Sequence, residues 1–184
     1  MGNLQSRLKI KYEKEVALAL ASEFDIKNKM AAPKITKIVL NMGIGEIAKN
    51  TQLREALSRD LALITGQVPS IRRARISIAT FNVVKGNPVG LSLTLRGIKM
   101  YDFLDKLISI VLPRLRDFRG VSNSSFDKSG NYSLGISEHT IFPEVDLAKA
   151  ASPRGLEVTL VIDSESPDQS KRLLELLGMP FEKS

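Results

Sequence analysis

Eight side chains hold the chemistry that this sequence can offer a partner: Lys37, Asn41, Arg73, Arg75, Ser77, Ser92, Thr94 and Arg96. Lysine and arginine neutralise phosphates, while short hydroxyls and amides hydrogen-bond phosphate oxygens and ribose 2′-hydroxyls. Within three extended runs these residues share one parity, the spacing that sets side chains on one face of a sheet. Aromatic residues are 5% of the chain and none belongs to this set, so stacking of single-stranded bases is not the expected mode. The expected partner is a folded RNA read by its shape.

Residue types exclude much else. The chain has no cysteine and one histidine, His139. This removes thiol nucleophiles, disulfides, cysteine zinc sites and two-histidine metal motifs, and it is compatible with a reduced intracellular compartment. His139 lies between Glu138 and Thr140 with no activated serine or second acid to match it, and it reads as structural. Asp163, Glu165 and Asp168 cluster near a helix start, where the helix dipole accounts for Asp168 without a metal. Gly43-Ile44-Gly45-Glu46-Ile47-Ala48 follows a strand and fits G-x-G-x-x-A, a dinucleotide-binding pattern. There Glu46 would set a carboxylate beside the pyrophosphate, and Asp60 falls inside a predicted helix, not at the end of a second strand. Gly43 and Gly45 read better as a turn that brings backbone close to RNA; a nucleotide-dependent enzyme is the competing reading. Met1-Gly2-Asn3-Leu4-Gln5-Ser6 matches the N-myristoylation pattern, which fixes few positions and often matches by chance. No catalytic constellation, metal site or cofactor is expected.

The charge distribution supports a polyanionic partner. Of 184 residues 27 are basic and 20 acidic, a formal net charge of +7. Residues 61–120 carry ten basic against three acidic side chains, whereas 121–184 carry six against ten. Between Asp60 and Asp102 there is no carboxylate, yet Arg72, Arg73, Arg75, Lys85, Arg96 and Lys99 lie there. Cations with no local anion create a positive field that attracts nucleic acid. Hydrophobic residues are 43% and no run of 18 apolar residues occurs, so a globular chain without a transmembrane helix or signal-peptide core is expected.

The elements that must position these groups follow from periodicity. Leu4, Leu8, Tyr12, Val16 and Leu20 recur every four residues and predict a helix to Phe24. Strands are predicted at Ile35–Met42, Ser70–Ile78, Val89–Leu95, around Tyr132–Ile136 and around Leu156–Ile162. Asn50 or Thr51 caps a helix stopped by Gly66, Phe103–Leu112 forms an amphipathic helix closed by Pro113, and Ser166-Pro167-Asp168-Gln169 opens the last helix. Gly120–Gly130 reads as a mobile polar loop. Hairpin-like connections without a strand–helix–strand repeat favour an α+β fold. One domain spanning 1–184 is expected, with an N-terminal helix, a mainly antiparallel sheet and helices packed on one face in two layers.

Several long motifs carry a family resemblance. They are Pro33-Lys34-Ile35 through Asn41-Met42-Gly43-Ile44-Gly45-Glu46, then Gly66-Gln67, Ala74-Arg75, Ser77-Ile78-Ala79, Thr94-Leu95-Arg96-Gly97 and Met100-Tyr101-Asp102-Phe103. Pro113–Gly120, Ser125-Phe126-Asp127, Gly130-Asn131-Tyr132, Ile141-Phe142-Pro143-Glu144 and Gly178-Met179-Pro180-Phe181 follow in order. Together they make the chain resemble the large-subunit ribosomal protein L-five family, the 5S-rRNA-binding proteins, in its bacterial or organellar form. The resemblance implies a non-enzymatic ribosomal protein that binds 5S rRNA and 23S rRNA in the central protuberance of cytoplasmic ribosomes. Asn41, Gln67, Ser77 and Thr94 match family positions of RNA contact. The resemblance further implies contact with P-site tRNA through the loop at about Ala79–Pro88, including Thr80, Asn82 and Lys85. A bridge to a small-subunit head protein is implied near Gly120–Gly130. The family pattern has more cations around Ile76, Asn82, Val83 and Val84, so this tRNA-facing loop is less basic than the pattern.

Overall fold

A computed structural model of the chain describes residues 6–45, 50–116, 118–146 and 153–182. Leu4, most of the myristoylation pattern and Glu46–Ala48 lie outside them. α1 (Arg7–Lys11), a π turn (Tyr12–Val16) and α2 (Ala17–Glu23) run on as one N-terminal helix, burying Leu8, Val16 and Leu20. The strands are β1 (Lys34–Gly43), β2 (Ser70–Arg73), β3 (Pro88–Leu95), β4 (Tyr132–Ile136) and β5 (Leu156–Asp163). The remaining helices are α3 (Thr51–Thr65), α4 (Gly97–Lys106), α5 (Leu112–Arg114) and α6 (Pro167–Leu177), with a π turn at Leu107–Val111 joining α4 to α5.

The strands form one open five-stranded sheet of order β2-β3-β1-β5-β4. Its bonds trace antiparallel pairing. Ser70 lies opposite Ser92 and Arg72 opposite Gly90. Thr36 Oγ1 donates to the Val161 carbonyl (3.0 Å) while Asn41 reaches Glu157, so β1 and β5 run in opposite directions. Ser133 bonds Thr159 and Asn131 bonds Ile162, reversing β4 against β5. The α+β, mainly antiparallel expectation is what the chain forms. In β1, β3 and β5 one parity is buried (Ile38, Leu40, Met42; Leu91, Leu93, Leu95; Leu156, Val158, Leu160, Ile162), as alternation requires.

β2 is shorter than predicted. It ends at Arg73, where the register shifts: Arg72 lies opposite Gly90, but Arg73 opposite Pro88. Proline has no N–H to continue a ladder. The chain instead closes a neck, with Ala74 N–H donating to the Asn87 carbonyl (2.8 Å) and Gly86 N–H to that of Ala74 (2.9 Å). Ile76 and Ile78, apolar residues within the predicted Ser70–Ile78 strand, are exposed.

The chain forms two compact units. One comprises residues 1–38, 95–134 and 159–184. There α1 packs on α4, and α6 packs on α2 and the first π turn. Arg172 makes a bidentate pair with Glu23 (2.7 Å from both Nε and Nη2), which holds the Glu23 carboxyl below the usual range. The 120–131 loop is tied down in this unit. Val121 N–H donates to the Pro180 carbonyl and Glu182 N–H to that of Val121. The rings of Phe126, Tyr132 and Phe181 cluster within 4.7–6.0 Å. Asp127 accepts the N–H groups of Ser129 (2.9 Å) and Asn131 (2.8 Å). The second unit comprises 39–94 and 135–158. Its helix α3 starts at Asn50, whose side chain accepts from the Gln52 and Leu53 N–H groups, and stops at Gly66 in the left-handed region (φ 65°).

Candidate nucleic-acid interface

On the parity opposite the buried one Ile35 and Ser92 are buried too, and the sequence-predicted residues are unevenly exposed and divided between the two units. Asn41, Gly43, Ser92 and Thr94 sit on strands of the second unit, and Gln67 joins them by donating from Nε2 to the Thr94 carbonyl (3.3 Å). Asn41 and Thr94 are half-buried, whereas Ser92 is only 5% exposed and offers little surface. Gly45, in the left-handed region (φ 46°), follows the end of β1 by two residues. Lys37 and Arg96 belong to the first unit; Lys37 is half-buried on β1, and Arg96 is exposed just before α4.

Arg73 is exposed at the end of β2, but Arg75 and Ser77 are not on a strand. They lie in the β2–β3 arm, beyond the register shift that ends the ladder. The arm has its own structure. Ile78 and Val83 exchange both backbone bonds (2.8 and 3.2 Å) around a short 3-10 turn, Ala79–Phe81, with Asn82 left-handed (φ 51°). Ser77 Oγ accepts the Lys85 N–H (3.0 Å), and Arg73 Nη1 donates to the Gly86 carbonyl (3.0 Å). Thr80, Asn82 and Lys85 are exposed along it. So are Ile76, Phe81 and Val84, at 67%, 73% and 59%. The arm is thus apolar at its tip and basic at its root. Among the described residues no partner engages Arg72 or Arg75, which leaves both guanidinium groups available to phosphate.

Parity in three strands missed the contribution of β5. Its alternation Leu156-Glu157-Val158-Thr159 buries the apolar side chains and turns Glu157 outward. The Asn41 amide donates to Glu157 Oε2 at 3.4 Å. The open face therefore carries a carboxylate, which the acid-free stretch between Asp60 and Asp102 had hidden. Extending the same parity to β5 would have found it.

The glycine turn does not make a nucleotide site by the dinucleotide pattern. α3 begins at Thr51, well past Gly45, and the Asn50 side chain already occupies its first free N–H donors. His139 is wholly buried and bonded to protein groups, so it faces no substrate. Among the described residues no group of acids and histidine is placed to hold a metal, and no helix is long and apolar enough to cross a membrane.

Most of the chain, β1 and β3 included, falls within matches to models of a known family. The family model described as "Ribosomal protein L5" matches residues 28–83, and the model of the same family's C-terminus matches 88–181. The chain belongs to the ribosomal protein L5 family. "Large ribosomal subunit protein uL5" of Thermoanaerobacter sp. (strain X514) is 52% identical over 178 residues, 97% of this chain and 99% of that protein. Proteins of the same name from Dictyoglomus turgidum (53% over 176 residues; 96% and 98%) and Chloroflexus aurantiacus strain ATCC 29366 (52% over 175; 95% and 97%) are similar throughout. The L5 family is one of structural proteins, not of enzymes.

Proposed function

We propose that this protein is a structural constituent of the large ribosomal subunit in the bacterial cytoplasm, binding 5S rRNA and also 23S rRNA in the central protuberance. Its relatives' name, "Large ribosomal subunit protein uL5", supports the assembly. The observation that carries the RNA contact is the run between Asp60 and Asp102, which has no carboxylate and exposes Arg72, Arg73 and Arg75. These cations supply affinity by neutralising phosphates, and Asn41, Gln67, Ser77 and Thr94 supply short hydrogen bonds to a folded RNA. Lys37, Arg96, Gly43 and Gly45 extend that contact; Ser92, being buried, contributes least.

The β2–β3 arm, with Thr80, Asn82 and Lys85, is suited to meet P-site tRNA, since it is self-bonded, exposed and free of acids. The 120–131 loop, held by Asp127 and the aromatic cluster, is suited to meet a small-subunit head protein as a rigid bump. Sedimentation of the tagged protein with bacterial ribosomes tests the reading. Comigration with large subunits, and with 5S rRNA after mild dissociation, is expected. A protein that stays at the top of the gradient in every salt condition would overturn it.

A further inference from the structure

Gly43, Gly135 and Gly155 surround a shallow hollow of about 310 Å3 within the second unit, whose rim also holds Asn41 and Glu157. Nothing internal requires these glycines. None of the three has a positive φ. A Cβ on Gly43 or Gly135 would meet no atom within 4 Å, and one on Gly155 would make only ordinary contacts at 3.7 and 3.8 Å. Gly90 is different: its Cβ would press on the Met42 carbonyl at 3.1 Å, so the packing of β3 on β1 explains it. Glycine in or beside a strand weakens it relative to alanine, and where no turn, positive φ or fold contact demands it, close approach of a ligand is a reason to keep it.

What approaches is narrowed by Glu157. A carboxylate repels phosphate, so its presence on a face that holds RNA calls for donors on the RNA. The Watson–Crick edge of guanine offers two adjacent donors, N1–H and the N2 amino group, which match the two oxygens of one carboxylate. Adenine and cytosine each offer a single amino donor there, and uracil a single imino donor. Guanine also carries the acceptor O6 beside N1. Asn41 bonds Glu157 with one N–H and has a second to give. A flat, side-chain-free floor lets the base lie against peptide planes without an aromatic platform, and unpaired bases of folded RNA are commonly read on that edge.

Resting on the RNA-binding reading above, we infer that this hollow receives one unpaired guanine of the bound RNA. Glu157 accepts from its N1–H and N2–H, and Asn41 donates to its O6. The hollow thus adds base specificity to a surface that otherwise reads backbone.

The test is filter binding of full-length wild-type protein and Glu157→Gln to 5S rRNA at one salt concentration, with kethoxal probing of guanine N1 and N2 in each complex. If Glu157 were only a solvated acid, its neutralisation would tighten binding to a polyanion. The inference expects the opposite sign: Glu157→Gln binds about tenfold more weakly, with an unchanged salt slope. It also expects one guanine that is protected by the wild type and reactive with the variant. Gly135→Val, which fills the hollow where the protein has room for it, is expected to weaken RNA binding with no loss of melting temperature. Equal or tighter binding by Glu157→Gln, or no guanine that differs between the complexes, overturns the inference and leaves the RNA-binding reading standing. Failure of the wild type to bind 5S rRNA at all overturns the 5S reading itself.

Discussion

The His139 imidazole faces Asp60 Oδ2 across 3.4 Å from Nε2, while its Nδ1 accepts the Arg154 backbone N–H at 3.2 Å. Since Arg154 N–H can only donate, the ring proton sits on Nε2 and is given to Asp60. The imidazole is wholly buried and Asp60 is 14% exposed in its side chain, so the pair ties α3 to the 3-10 turn His139–Ile141 that follows β4. Replacing His139 by alanine leaves a cavity and a poorly solvated carboxylate. It is expected to cost about 2–4 kcal/mol in urea denaturation, with RNA affinity of the folded fraction retained.

Gly120 answers to a different constraint. Its φ is 115°, and a Cβ there would fall 2.5 Å from the Glu182 nitrogen, where the chain end crosses Val121. Gly120→Ala is expected to destabilise the protein by about 2 kcal/mol or more, read as a lowered melting temperature.

Asp127 gives the 120–131 loop a dependence on acid. Side-chain and backbone bonds from Asn131, then the Ser129 N–H, hold its carboxyl below the ordinary 3.8. A depressed folded value means stability fully present above the unfolded value and lost as pH falls through the folded one. The Ser129 and Asn131 amide resonances should therefore titrate with a midpoint below 3.8. In Asp127→Asn that titration should vanish.

Asn50 caps α3 with bonds of 3.0 and 3.2 Å to the Gln52 and Leu53 N–H groups. Asn50→Ala is expected to cost about 1 kcal/mol by thermal unfolding.

Much of this architecture is legible in the sequence because it follows from period and punctuation. Leu91, Leu93 and Leu95 alternate in sequence and are buried in fact; Asn50 and Gly66 bound α3 by the chemistry of caps. The β2–β3 arm is not legible. Ile76 and Ile78 have the composition of a strand, but the pairing partner decides, and Pro88 opposite Arg73 ends the ladder. The 120–131 loop has the serines and glycines of a mobile segment, yet Asp127 bonds Ser129 and Asn131 in a local turn and Phe181 packs on Phe126 and Tyr132, a contact remote in sequence that leaves no local pattern. At the candidate interface, Glu157 is invisible to charge read along the chain, because only the sheet brings β5 beside β1.

The central claim is that exposed arginines on an acid-free stretch hold folded RNA. Its most direct test is a gel shift of 5S rRNA with wild-type protein and Arg75→Glu/Arg96→Glu across a salt series. Both side chains are exposed, so the variant should melt like the wild type. Wild-type affinity is expected to fall steeply as salt rises, with binding by the double variant lost at moderate salt. A folded double variant that binds 5S rRNA as tightly as the wild type would contradict the account.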